Sequence, residues 1–239
     1  NLRVKCDALG IKAEDYEKDH VSEDDIDYKG YSLLEVTESD IDALHSGASH
    51  SISTEKIKNN EFVIAKSHSG GSFIGVNKSG DIKKLCRNVS NVIQLEPKNK
   101  EQRFAIEALL DESIPIVTLT GLAGSGKTFL AIMAGLEMIQ TGQYNRIVIT
   151  RSIQPVGRDL GYLPGDVKEK MDPWLAPLMD NIRVAFQDTM YFNMMFEKGT
   201  IEIAPLSYIR GRTFNDAIVL VDEAQNATIH ELKTIITRI

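Results

Sequence analysis

The sequence predicts an α/β fold in which a parallel sheet is covered on both faces by helices and preceded by a small β-rich unit. Three observations carry this. From Pro97 onward, short and nearly continuous apolar runs alternate with helical patterns, the signature of buried parallel strands. A glycine-rich octapeptide, GLAGSGKT at 121–128, stands between one such run and a helix. Residues 27–92 instead hold short β-type runs separated by turn signals.

Taken in order, residues 1 to about 20 have the periodicity of one amphipathic helix, followed by an acidic, polar stretch. Strands are expected at 31–36, 62–66 and 72–76, helical turns at 39–46, and a hairpin over 72–85 around Lys78, Ser79, Gly80 and Asp81. Beyond Pro97 the expected elements are a helix at 100–110, a β-branched strand at 114–120, and an apolar helix at 127–140 ended by Thr141 and Gly142. These are followed by a strand at 146–150, a helix at 168–187, and strands at 200–204 and 217–222.

Composition narrows the function classes. The 239 residues are 42% apolar and 26% charged, with a net charge of −7, so a global basic field for nucleic acid or anionic membrane is absent, which does not exclude a local one. Residues 11–46 hold twelve Asp and Glu against three Lys, which reads as a solvated face or linker, whereas the region from Pro97 is nearly balanced. Cys6 and Cys86 lie eighty residues apart without a CxxC, and His45, His50 and His68 are scattered, so neither a disulfide framework nor a metal cluster is expected. No membrane span or signal peptide is visible, and a reducing, cytoplasmic setting is expected. The chain starts at Asn1 in a helical pattern and stops at Ile239 in another, as a piece of a longer protein would.

The octapeptide satisfies GxxxxGK[ST], the phosphate-binding loop of nucleoside triphosphatases, and its strand–loop–helix setting is the one the chemistry needs. Gly121, Gly124 and Gly126 permit backbone angles closed to other residues, so that successive N–H groups, those of Ala123 and Ser125 included, turn inward on phosphate oxygens. The following helix adds its positive end. Lys127 is expected to bridge the outer phosphates of ATP, and Thr128 to place its hydroxyl on magnesium. A partner carboxylate is expected at the end of a buried strand, and AIVLVDE (217–223) supplies it: Asp222 for the metal, and Glu223 as general base for the attacking water. The alternative for this pair is capping of the next helix.

Four stretches taken together resemble the PhoH family of ATPases: GLAGSGKT, IVITRSIQPVGRDLGYLPGDVKEKMDPWLAPLMD (147–180), GTIEIAPLSYIRGRTFNDAIVLVDEAQN (199–226) and ELKTIITRI. That family's core is similar to superfamily 1 RNA helicases. The N-terminal NLRVKCDALGIKAEDYE is similar to the last helix of the PIN nuclease domain fused to PhoH in the PIN–PhoH subgroup. The resemblance implies a PIN remnant at 1–20, a linker and β-rich connector at 21–96, and a P-loop NTPase domain, incomplete at its C-terminus, at 97–239. It implies ATP hydrolysis coupled to single-stranded RNA or DNA, and a ring-like homo-oligomer of the full-length protein. No nuclease activity is expected of this chain, since the family's metal-binding acids lie mostly before Asn1.

Carried over position by position, the resemblance implies that Gln102 reads the adenine edge and that Gln225, in DEAQ, senses the γ-phosphate or strand occupancy. It places Arg151, Ser152, Gln154 and Arg158 against a nucleic-acid backbone, with Arg210 and Arg212 as a second contact. Ser152 departs from the family pattern, which usually has Pro there. The alternative for these arginines is pairing with Asp159, Asp166 or Asp216, and for Trp174 it is packing at a helix start rather than stacking on a base. Two further readings of the whole stay open: a nucleotide-binding or assembly module without turnover, and a small-molecule phosphotransferase.

Overall fold

The structure, a computed structural model, describes residues 29–47, 56–89, 95–151, 179, 189–209 and 211–238. These fall into two units, one ending at Leu85 and the other beginning at Cys86. The helices expected at 1–20 and 168–187 lie outside the described residues, apart from the single position 179.

The first unit comprises β1 (Tyr31–Glu35), α1 (Glu38–Ser46), β2 (Phe62–Lys66), β3 (Ser72–Lys78) and β4 (Asp81–Lys84). The sheet order is β1-β2-β3-β4, with β1 parallel to β2 and the remaining pairs antiparallel. A parallel pair needs a crossover, and α1 lies within it. A capping box starts that helix: Asp40 N–H donates to the Thr37 hydroxyl, and Thr37 N–H donates to the Asp40 carboxylate. The two-residue side-chain alternation then sends Val63 and Ala65, Phe73 and Ile82 to one face, where Ile41 and Leu44 of α1 complete a core. The expected hairpin is present, with Lys78 opposite Asp81. Its turn residues Ser79 (φ 56°) and Gly80 (φ 101°) both take positive φ, as a two-residue hairpin turn of the primed type requires.

The second unit holds α2 (Lys100–Leu109), α3 (Lys127–Gln140), β5 (Arg146–Arg151), α4 (Thr189–Glu197), β6 (Ile201–Pro205), β7 (Ala217–Asp222) and α5 (Ile229–Ile236). Its strands form an all-parallel sheet in the order β6-β5-β7. Both faces are covered, as near-continuous apolar strands demand. On one face Ile147 and Ile149 of β5 and Ile201 of β6 pack with Leu130, Ile132, Met133 and Leu136 of α3, Ile106 of α2 and Met195 of α4. On the other, Val148 and Ala217 pack with Leu206, Ile209, Phe214 and Ile235. Helix α3 lies close on the sheet because Gly135 faces β5: a Cβ there would come within 2.6 Å of Ile147 Cδ1.

The mixed α/β class and the parallel sheet agree with the sequence reading; helix α4 was not among the expected elements, and one expected strand is not formed among the described residues. The run at 114–120 joins no ladder among the described residues. A strand is defined by the partner it bonds, and the run bonds to neither edge strand of this sheet, β6 or β7. Residues 116–120 keep an alternation of half-buried Val117 and Leu119 with exposed Ile116, Thr118 and Thr120, so the run enters the glycine loop without being part of the sheet. The unit boundary falls ahead of Pro97 for a local reason. Buried Glu107 of α2 accepts from the N–H groups of Cys86 and Arg87, both at 2.9 Å, and pairs with the Arg87 guanidinium, which also reaches Asp111.

Candidate functional site

Helix α3 differs from its neighbours at its first turn. Helices α1, α2 and α5 begin on Thr37, Asn99 and Thr228, whose side chains accept the orphan N–H groups of the first turn. Helix α3 begins on Gly126, with no side-chain cap and no acidic residue in its first turn. Gly121 (φ 151°), Gly124 (φ 76°) and Gly126 (φ 89°) hold the preceding loop in backbone angles that side chains disfavour. A helix start left with its donors and positive end uncompensated is suited to an anion.

The expected loop residues come together here. The Lys127 ammonium lies across the loop and donates to the carbonyl oxygens of Gly121 (2.7 Å) and Leu122 (2.9 Å). Gln102, on α2, donates through Nε2 to Ser125 O at 3.2 Å, while its Oε1 accepts from Lys98 N–H at 2.8 Å. The residue expected to read adenine is therefore seated against the phosphate loop, with both ends of its amide engaged.

From the other side comes the end of β7. The Thr128 hydroxyl donates to Asp222 Oδ1 at 2.8 Å, joining residues 94 positions apart in sequence. A hydroxyl and a carboxylate converging in this way form the oxygen donor pair that a hard divalent cation takes, with phosphate oxygens and water to complete it. Among the described residues no group of three His, Cys, Asp or Glu side chains is placed to hold a metal by itself. Glu223 follows with φ 50° and ψ 45°, a left-handed conformation rare for a side-chain-bearing residue. Its carboxylate accepts from Gln225 Nε2, and its carbonyl accepts from Asn226 N–H at 2.9 Å. Glu223 stands at the N-cap position of a single 3-10 turn (Ala224–Asn226) but makes no side-chain capping bond to it, and α5 is capped separately by Thr228, with Glu231 as its capping partner.

The arginines divide. Arg151 ends β5 in register with Asp222 at the end of β7, and its Nη1 lies 4.0 Å from Asp222 Oδ2. Arg212 is bound through both guanidinium nitrogens to the Glu202 carboxylate on β6, the second at 2.8 Å, and lies over the Phe214 ring. That bidentate pairing holds the Glu202 carboxyl below its usual range and raises the Arg212 guanidinium further. Pairing with carboxylates was the alternative for these residues, but the partners are Asp222 and Glu202 rather than Asp159, Asp166 or Asp216. Ser152, Gln154, Arg158, Arg210 and Trp174 lie outside the described residues. The sequence reading missed Arg151 as a neighbour of the carboxylate. Local pattern does not give this pairing: it follows from the strand order, which makes β5 and β7 adjacent parallel strands ending at one edge of the sheet.

A cleft of about 580 Å³ opens at the far end of α3, near Thr141, and is lined by Asp111, Glu112 and Glu137 besides Arg87. That acidic lining suits a triphosphate poorly. No helix among the described residues is long and apolar enough to cross a membrane.

Comparison with known proteins agrees with this geometry. The family model described as PhoH-like protein matches residues 94–239. Protein PhoH2 of Bacillus subtilis is 39% identical over 251 aligned positions, which cover all of this chain and 56% of that protein. Protein PhoH2 of Mycolicibacterium smegmatis is 34% identical over 242 positions, covering all of this chain and 54% of its own length. A PhoH-like protein of Bacillus subtilis is 45% identical over 122 positions, half of this chain and 37% of that protein. The chain thus spans about half the length of the curated relatives it matches in full. With the glycine loop, the Asp222 strand and most of the second unit inside the matched region, the chain belongs to the PhoH-like protein family.

Proposed function

We propose that this chain binds ATP with magnesium and supports its hydrolysis, as the nucleotide-binding part of a longer protein that couples turnover to single-stranded RNA or DNA. The observation that carries the reading is the 2.8 Å bond from Thr128 to Asp222, which brings the phosphate-loop helix and the carboxyl end of β7 to one point. Gly121, Ala123, Gly124, Ser125 and Gly126 supply backbone donors to the phosphates, Lys127 neutralises the outer ones, and Gln102 recognises the base. Thr128 and Asp222 would hold magnesium, which when bound supplies positive charge to the phosphate oxygens. Glu223 orients and deprotonates the attacking water, and Gln225 fixes that carboxylate by its hydrogen bond.

The nucleic-acid part of the proposal rests on Ser152, Gln154, Arg158 and Arg210. Arg151 and Arg212 enter it only by leaving the carboxylates they now face. A homo-oligomeric ring of the full-length protein belongs to the same proposal.

Nucleotide binding and ATP turnover, with and without single-stranded RNA, test it. Lys127→Ala is expected to lose most nucleotide affinity. Glu223→Gln is expected to keep that affinity and lose turnover by about 10²- to 10⁴-fold, the usual contribution of a general base. Full turnover in either variant would refute the assignment. Tight binding with no turnover in the wild type would leave an assembly module instead.

A further inference from the structure

Two arginine–carboxylate pairs in the second unit differ in kind. Arg212 and Glu202 are locked, with two guanidinium nitrogens on two carboxylate oxygens. Arg151 and Asp222 are not: a single nitrogen stands 4.0 Å from a single oxygen, the outer limit of an ion pair and beyond hydrogen-bond range. The Arg151 and Asp222 side chains are 28% and 12% exposed, so the charges meet in a partly dry setting where their interaction is stronger than in water. Asp222 has its other oxygen, Oδ1, on the Thr128 hydroxyl. One carboxylate is thus shared between the residue proposed to hold magnesium with it and a permanently charged guanidinium.

We infer that Arg151 is a positioning residue that serves as the resident counter-charge of Asp222 and sets the magnesium concentration at which nucleotide binds. The inference rests on the ATP–magnesium reading of the same site. With no divalent cation bound, Arg151 balances the Asp222 charge and keeps the carboxylate turned to Thr128. When the carboxylate takes magnesium, Arg151 becomes a like charge beside it and must swing away or lower the affinity. The loose geometry allows the swing: no hydrogen bond joins the pair, and Arg151 is the last residue of its strand. The locked Arg212–Glu202 pair shows what this sheet builds when an arginine is meant to stay.

The test is a magnesium titration of nucleotide binding in the intact protein, followed with a fluorescent, non-hydrolysable ATP analogue. In Arg151→Gln the half-saturating magnesium concentration is expected to fall about tenfold, the order expected when one like charge leaves a half-buried site. In Arg151→Lys, which keeps the charge, it is expected to stay within about twofold of wild type. An unchanged or raised magnesium requirement in Arg151→Gln would overturn the inference; a raised one would show that Arg151 holds phosphate instead. An Arg151→Lys shift as large as that of Arg151→Gln would overturn it too, by showing that geometry and not charge matters. If the wild type binds no nucleotide, the ATP reading fails and this inference with it. Magnesium-dependent binding that ignores Arg151 defeats this inference alone.

Discussion

Thr150 is fully buried in the central strand of the second unit, and its hydroxyl has no hydrogen-bond partner among the described residues. A buried hydroxyl left unsatisfied costs about 1–3 kcal/mol relative to its solvated state. Valine has the same branched shape with a methyl in place of the hydroxyl and suits a strand equally well. Thr150→Val is therefore expected to hold stability level or raise it by about 1 kcal/mol, read from the urea midpoint at constant slope. A clear loss would mean that the hydroxyl finds a partner in solution. Glu223 stands one residue past the neighbouring strand and presents a cost of another kind. Its left-handed backbone is held by the Asn226 N–H bond to its carbonyl and by the Gln225 bond to its carboxylate. Strain that local bonds over-determine is common where a side chain must be aimed, and here the side chain aimed is the proposed base.

At the scale of elements, β6 is tied to the segment entering β7 by the Glu202–Arg212 pair. Glu202 has its folded-state proton affinity lowered first by the Arg212 hydrogen bond. A lowered carboxyl contributes stability that is present above its unfolded value, about 4.3, and is lost as pH falls through the folded value. The stability difference between wild type and Arg212→Gln is thus expected to be at most about 1 kcal/mol near pH 6, because the pair is partly exposed, and to shrink on acidification below about pH 4.3. Urea unfolding at several pH values checks the sign; a difference that grows on acidification would contradict it. This pair also marks where sequence reading stops. The bounds of β2, α3 and β7 were legible because alternation, apolar content and the glycine loop are local signals. The Thr128–Asp222 meeting across 94 residues was legible because loop and strand form a linked motif. The partners of Arg151 and Arg212 were not, since strand order and register decide which acids face them, and neither is written in local pattern. The run at 114–120 misled for the converse reason, having strand composition but no ladder partner among the described residues.

For the whole molecule, the decisive fact is that every described residue of the proposed nucleotide site, from Gln102 to Gln225, lies in the unit that begins at Cys86. The unit ending at Leu85 has its own core, built from Ile41, Leu44, Val63, Ala65, Phe73 and Ile82, and contributes none of these groups. A ligand that binds only the folded site stabilises it by about 2.7 kcal/mol at a hundred times its dissociation constant. That energy acts on the openings that would break the site, so amide exchange slows where those openings occur. With ATP analogue and magnesium, slowing is expected at residues 121–130, where the loop passes into α3, and at the ends of β5 and β7 through Asn226, with no change in β1 to β4. Hydrogen-exchange mass spectrometry on wild type and Lys127→Ala resolves this, the variant serving as the trace without ligand. Equal slowing in β1 to β4 would mean that nucleotide acts on the first unit as well, and the site as drawn from the second would then be too small.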